Sequence, residues 1–241
     1  MSSTQLSVVI ITLNEEKNIG RCLASVIDVA NEIIVVDSFS TDKTQEICQQ
    51  YNVNFIQRKW EGFAQTKNFA NQQAKYDYVL SLDADEALSL ELSNAIKKEK
   101  EKGLNGAYEF NRLSNYCGKW IYHCGWYPDK KIRLFPKQDT QWEGDFIHEI
   151  LRIKEISVVS LLKGNMLHYS YYTIREHKEK TKQYANLGAD KIISKAKKHL
   201  LFKAIAKPCA IESTLLGPKP IGLSPLAEFK CLIAFCGSYP D

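Results

Sequence analysis

Apolar positions in the first hundred residues fall into short, mostly β-branched runs separated by stretches of helical period. Leu6-Ser7-Val8-Val9-Ile10-Ile11-Thr12 is too short and too branched to prefer a helix, and it predicts a buried strand. Ile19, Cys22, Leu23, Val26 and Ile27 then recur at helical spacing, and Ile33-Ile34-Val35-Val36 returns as a second strand, making a βαβ unit. Ser40-Thr41-Asp42 can cap a helix that carries Ile47 and Cys48, followed by a third strand over Val53–Ile56. A helix around Phe63 to Ala74 leads to a fourth strand at Tyr78–Leu82, and a further helix from Leu90 to Lys102 ends at Gly103. Parallel strands joined by crossover helices are the natural solution.

The pattern changes after Gly103. Residues 107–169 are rich in Tyr, Trp, Gly and short β-like runs, which predicts antiparallel strands and loops laid over the same sheet. A Lys-rich helical period resumes from Tyr171 to about Ile205. Beyond it, Pro208, Gly217, Pro218, Pro220, Gly222 and Pro225 interrupt any long helix.

Composition narrows the class. A chain of 241 residues can hold one large α/β domain with an appendage. The net charge of +4 is mild, and with no nucleic-acid-binding motif it implies no nucleic-acid partner. Its distribution is uneven: between Arg175 and Lys207 ten basic residues face only Glu176, Glu179 and Asp190. Such a segment on a helix that also carries Leu187, Ile192 and Leu200 is expected to attach peripherally to an anionic membrane face, unless it is a solvated helix face packed on the domain. The seven cysteines form no C-x-x-C pair, so a disulfide framework is not expected, and Cys22 and Cys48 read as core residues of a reducing compartment. The spacing of Cys117, His123 and Cys124 fits no familiar zinc site. No basic-then-apolar leader opens the chain, and its apolar runs fall short of the roughly 20 residues of a membrane span, so a cytoplasmic location is expected.

The sharpest chemical signal is Val79-Leu80-Ser81-Leu82-Asp83-Ala84-Asp85-Glu86, an apolar strand running into three carboxylates. Ligands of open α/β sheets gather at the carboxyl ends of strands. Asp83 and Asp85 share a face if the strand continues, and converge if it turns. Either way two hard oxygen ligands suit a divalent cation that also holds a phosphate. The competing reading is that these carboxylates only open the following helix, where negative charge is favourable.

Four features line up at strand ends: Thr12-Leu13-Asn14-Glu15, Val36-Asp37-Ser38-Phe39-Ser40-Thr41-Asp42, Lys67-Asn68, and Asp83-Ala84-Asp85. Together they resemble the inverting nucleotide-sugar glycosyltransferases of family two, with a GT-A fold, over about residues 5–170. The strings SVVIITLNEEKNIGRCL, NEIIVVDSFSTD, LSLDADE and GWYPDKKIRLF, with His148-Glu149, look more narrowly like the bacterial lipopolysaccharide-core glucosyltransferase branch. The resemblance implies an α/β fold with a GT-A-type, mostly parallel sheet flanked by helices and a C-terminal helical extension. It divides the chain into a catalytic domain over 1–170, with a nucleotide-sugar half at 1–105 and an acceptor half at 106–170, and a basic extension and tail over 171–241.

The same resemblance implies a UDP-sugar donor, a Mg²⁺ or Mn²⁺ ion, and a sugar hydroxyl of a lipopolysaccharide core or similar glycan or glycolipid as acceptor. Asp37 would accept hydrogen bonds from uracil or ribose, with Thr12, Asn14 and Glu15 lining the crevice; the alternative for Asp37 is a turn-forming role. Lys67 would reach the diphosphate, unless it is an ordinary surface lysine. Asp85 would bind the metal, and Asp83 the ribose or a metal-bound water. Arg133 would support phosphates or acceptor, or pair with a structural carboxylate. Glu149 would be the base that deprotonates the acceptor, with Asp145 and Asp129 as rivals. Trp120, Trp126 and Tyr127 suit stacking on sugars or a place in the core. Residues 209–241 do not match the family's aromatic tail. A transferase acting on polyprenyl phosphate and a non-catalytic sugar-nucleotide-binding protein are the alternatives.

Overall fold

The computed structural model describes residues 3–144, 149–153 and 158–182. Asp145, His148, the basic residues from Lys191 onward and the tail over 209–241 lie outside the described residues. The described residues belong to the compact unit Met1–Tyr184.

Chain order gives β1 (Leu6–Thr12), α1 (Ile19–Val26), β2 (Glu32–Asp37), α2 (Thr44–Cys48), β3 (Asn54–Gln57), α3 (Phe63–Gln73), β4 (Tyr78–Asp83), β5 (Glu86–Leu88), α4 (Leu90–Lys102), β6 (Ala107–Tyr116), β7 (Lys119–Trp120), β8 (Asp129–Pro136), β9 (Thr140–Glu143), β10 (Ile150–Ile153) and β11 (Val159–Tyr171). A helical stretch over 174–182 follows. Nine strands make one sheet in the order β3-β2-β1-β4-β8-β6-β11-β5, with β7 on β6, while β9 and β10 form a separate hairpin.

Every residue of β1 is buried, as a central parallel strand requires. Its side chains alternate between two cores: Leu6, Val8 and Ile10 pack with Ile19, Cys22, Leu23, Leu92 and Ile96, and Val9 and Ile11 pack with Ala64, Ala70, Phe135 and Trp142. Helices α1 and α4 thus contribute to the first core, and α3 to the second. The chain leaves β1 for β2 and β3 on one side, then returns to β4 on the other. The strand order therefore reverses between β1 and β4, and that reversal is where an open sheet leaves a crevice for a ligand. Register puts Thr12 beside Asp37 and Ile11 beside Asp83 at this point.

The second half follows its sequence reading in part: β8 runs antiparallel to β4 and β6, and β5 to β11. Strands β6, β8 and β11 join the sheet instead of lying over it, and β11 runs parallel to β6. Two long strands that meet only through distant pairing carry no local turn signal, so their direction is not written in the periodicity. The reading of Asp83, Asp85 and Glu86 as a helix opening also fails, because β5 intervenes and Ser89 caps α4, its hydroxyl accepting from Leu92 N at 3.2 Å. Gly164 lets β11 cross α4 closely: its φ is +104°, and a Cβ there would lie 2.4 Å from the Leu92 nitrogen.

Candidate active site

At the reversal point, the end of β1 presents Thr12, which is buried, its Oγ1 finding no hydrogen-bond partner among the described residues. Such an orphaned hydroxyl at a strand end is a natural donor or acceptor for a ligand. The loop beyond it is stapled to the loop after β2. Asn14, in the left-handed region at φ +54°, donates its N–H to Ser40 Oγ at 2.8 Å and accepts from Thr41 N at 2.8 Å. Asp42 ties both loops to α2, accepting from Glu16 N at 3.0 Å and Thr44 N at 3.0 Å.

Asp37 forms the turn after β2, one of the two roles open to it. It is fully buried, and its carboxylate accepts from Ser40 N at 2.9 Å and from the Ser40 hydroxyl. It shapes the loop after β2, whose Asp42 lines a cavity with Glu15. Phe39 stands exposed on that loop at φ +63°. Glu15 accepts from Asn18 Nδ2 at 2.7 Å and lines a cavity of about 320 Å³ with Tyr169 and Lys180. Burial, then the neighbouring Asp85 charge, pushes its carboxyl above the usual range.

Between Asp83 and Glu86 the chain turns, and Glu86 closes the turn by accepting from Asp83 N at 3.0 Å. The turn sends the two aspartates to different partners. Asp83 meets two cations: Lys67 Nζ at 2.9 Å and an Arg133 guanidinium nitrogen at 3.0 Å. Burial alone would raise its carboxyl, but Lys67 and Arg133 hold it well below the usual carboxylate range. Asp85 instead faces His168, whose Nε2 lies 3.4 Å from Oδ2. Burial again opposes ionisation there, and the His168 charge outweighs it to hold the Asp85 carboxyl down. His168 is anchored at its other nitrogen by the Ser170 hydroxyl at 2.9 Å and Ser114 at 3.3 Å.

Lys67 is no surface lysine. It is wholly buried on α3, and its ammonium joins Asp83 to Glu149, 2.8 Å away on the far side. The Trp142 ring lies over it, 4.7 Å from Nζ to the centroid. The next residue, Asn68, holds that tryptophan by two backbone bonds of 2.8 Å each, to Trp142 O and from Trp142 N. The Lys67-Asn68 pair thus fixes the β9–β10 hairpin and the approach of Glu149 together. Arg133, buried on β8, pairs with Asp83 and with Glu86 at 2.8 Å, the structural pairing that the sequence left open for it. Asp129, the second rival for the base, is locked between Arg112 at 2.6 Å and Lys131 at 2.9 Å.

The structure therefore gathers Lys67, Asp83, Arg133 and Glu149 into one network, with Asp85 beside it and Thr12 across the crevice. Trp120, Trp126 and Tyr127 make edge contacts with Tyr169, Tyr116 and Tyr122, and Tyr169 is itself a wall of the Glu15 cavity. Glu86, Trp142 and His168 are the members that sequence reasoning missed. Glu86 adjoined the signal and was passed over as a helix opener, whereas a lone histidine in a β11 sequence carries no spacing that marks it.

Asp85 is paired with no lysine or arginine among the described residues, whereas Asp83 is paired with Lys67 and Arg133, and its Oδ1 makes no hydrogen bond there. Among the described residues no three His, Cys, Asp or Glu side chains gather as a ligand set. Asp85 offers one carboxylate, and His168 a second donor once its Nε2 is deprotonated, leaving the other positions to phosphate oxygens and water, as suits an ion that keeps its waters.

The family model described as "Glycosyl transferase family 2" matches residues 7–155. An uncharacterized glycosyltransferase of Rickettsia typhi is 31% identical over 211 residues, covering 83% of this chain and 72% of that one. The lipopolysaccharide core biosynthesis glycosyltransferase LpsC of Rhizobium meliloti is 28% identical over 214 residues, with 84% and 77% covered. Among solved structures, S. aureus TarS 1-349 in complex with UDP-GlcNAc aligns with a TM-score of 0.50 at 19% identity, over 70% of this chain and 59% of that one. That likeness is one of fold. With more than half of its length matched by the family model and a relative above 30% identity spanning most of it, this chain belongs to glycosyl transferase family 2 and has the GT-A fold.

Proposed function

We propose that the protein is an inverting hexosyltransferase that moves a hexose, glucose in our reading, from a UDP-sugar to a hydroxyl of a lipopolysaccharide core or similar surface glycan. The observation that carries this is Lys67, which joins the carboxylate at the end of β4, Asp83, to a second carboxylate, Glu149, the two lining one cavity of about 590 Å³. One buried ammonium so fixes the distance between the two carboxylates. The kinship with LpsC favours a glycan acceptor, and the TarS complex is consistent with a UDP-sugar donor.

In this reading the nucleoside lies against the Thr12 to Glu15 loop and the loop that Asp37 shapes. Glu149 accepts the proton as the acceptor oxygen forms its bond to the anomeric carbon and the bond from that carbon to the β-phosphate oxygen breaks. Release of UDP with inversion follows from attack on the face opposite the leaving group. Asp83, Asp85, Glu86 and Glu149 bring four carboxylates together at the site, and a diphosphate entering beside them meets like charge. Mg²⁺ or Mn²⁺ held by Asp85, with His168 in its neutral form as a second donor, would supply positive charge for the departing diphosphate.

The test is UDP release from a panel of UDP-hexoses with each metal. Asp85→Asn, which changes a partly exposed rim residue, should cut turnover at least 100-fold and leave thermal unfolding close to wild type. Unchanged turnover in that variant, or in the presence of a chelator, removes the metal from the account.

The basic segment between Arg175 and Lys207 is proposed to hold the enzyme at an anionic leaflet, at about 1 kcal/mol for each basic residue near the surface. Among the described residues no helix is long and apolar enough to cross a membrane. Sedimentation with anionic vesicles should show binding that weakens with salt, and binding indifferent to lipid charge would sink the idea.

A further inference from the structure

The cavity beyond Glu149 has a wall of basic side chains that the transfer reaction, as derived, does not use. On β8, Asp129, Lys131 and Arg133 alternate and so share one face, while Arg112 lies opposite Asp129 on the neighbouring strand β6. The inner member, Arg133, is spent on Asp83 and Glu86. The outer members face the cavity. Arg112 and Lys131 share the carboxylate of Asp129, Arg112 also lying 3.9 Å from Glu86, while Lys130 has its own partner in Glu109 at 2.9 Å. Both side chains remain partly exposed to solvent, Arg112 at 25% and Lys131 at 41%.

A neutral sugar gains nothing from such a strip, since its hydroxyls are served as well by uncharged donors. Three features suit an anion instead. Arg112 presents a planar fork that matches a phosphate or carboxylate in two-point contact. Lys131 adds a point charge from the adjoining strand. Asp129 already shows that one anionic group can satisfy both. Its Oδ2 accepts from Arg112 Nε at 2.8 Å and its Oδ1 sits 2.9 Å from Lys131. The strip and Glu149 line the same cavity, so a molecule whose hydroxyl meets Glu149 can reach Arg112 and Lys131 with a second group.

We propose that the acceptor binds as an anion, with a phosphate or carboxylate seated between Arg112 and Lys131, where the Asp129 carboxylate holds the place in the absence of substrate. The inference rests on the assignment of this cavity to the acceptor. Binding exchanges Asp129 for the ligand's anion, so the site discriminates against neutral sugars, which cannot displace a carboxylate from two cations. The same chemistry is offered by a phosphorylated sugar, an acidic sugar and a lipid-linked phosphate.

Equilibrium binding to the full chain, read by ligand-observed NMR without any donor, tests this apart from turnover. Glucose 6-phosphate and glucuronate should each bind at least 10-fold more tightly than glucose. Lys131→Glu, a surface substitution, should erase that preference, and Lys131→Arg should keep it, while UDP-glucose binding stays the same in all three proteins. Farnesyl phosphate serves as the lipid arm: tighter binding than glucose 6-phosphate assigns the anion to a lipid, and weaker binding assigns it to a sugar. Equal binding of charged and neutral sugars, no binding of either charged sugar, or a preference that survives Lys131→Glu would overturn the proposal. Failure to release UDP from any UDP-hexose would instead defeat the proposed reaction and leave this binding result standing.

Discussion

Lys67→Met is expected to abolish transfer and to lower the midpoint of thermal unfolding by roughly 6–12 °C, equivalent to about 3 kcal/mol for a domain of this size. The side chain is wholly buried, and methionine fills much the same volume, so packing accounts for little of the effect. Charge accounts for most of it. Asp83 and Glu149 both turn to the one ammonium. Without it, two carboxylates of low exposure stand close together, with Arg133 bonded to Asp83 and acting on Glu149 only through space. Each then protonates or swings toward water, and the geometry that relates the two sides of the site goes with it. Lys67→Arg should not rescue, since a larger planar group must fit a space closed by the Trp142 ring. Urea unfolding with a parallel assay of UDP release checks both parts, and a Lys67→Met protein with near-normal turnover would show that the bridge is ornamental.

The second large effect is expected from Glu149→Gln, with a loss of about 10²- to 10⁴-fold in turnover and no loss of donor affinity. The amide oxygen can still accept from Lys67, so the network and the fold survive. What disappears is the capacity to take a proton from the attacking hydroxyl. Calorimetric titration with UDP-glucose and Mg²⁺, set beside turnover, separates these outcomes. Asp129 is a poor alternative base, because Arg112 and Lys131 hold its carboxylate below the usual range against the effect of burial. If Asp145→Asn loses the activity and Glu149→Gln keeps it, the role passes to Asp145.

The nucleotide half of the fold was legible because its signals are local. The β-branched runs of β1 and β2 and the apolar stripe of Ile19, Cys22, Leu23 and Val26 each announce an element within a few residues. Their order alone then places Thr12, Asp37 and Asp83 at one end of one sheet. The second half resisted because its organising contacts are distant. Strand β11 pairs Met166 with Arg112 on β6 and with Leu88 on β5, partners with no relation in the periodicity.

Site residues divide along the same line. Asp83 and Asp85 stood out by their position after a buried strand, yet their separate partners could not be read, because the turn depends on Glu86 folding inward. Lys67 could be read as a diphosphate contact or as a surface lysine, because α3 is a polar helix, and only the β9–β10 hairpin, docked through Asn68, turns that face into an interior. His168 reaches Asp85 because β11 lies against β5 and β6, a placement decided by tertiary packing.

The most direct measurement is the configuration of the bond the enzyme makes, followed by proton NMR with Mg²⁺ and a UDP-α-hexose. A base on the acceptor side and UDP leaving on the other predict a β-linked product at every stage of the reaction. An α-linked product would contradict a single displacement assisted by Glu149, and no transfer from any UDP-hexose would contradict the account as a whole.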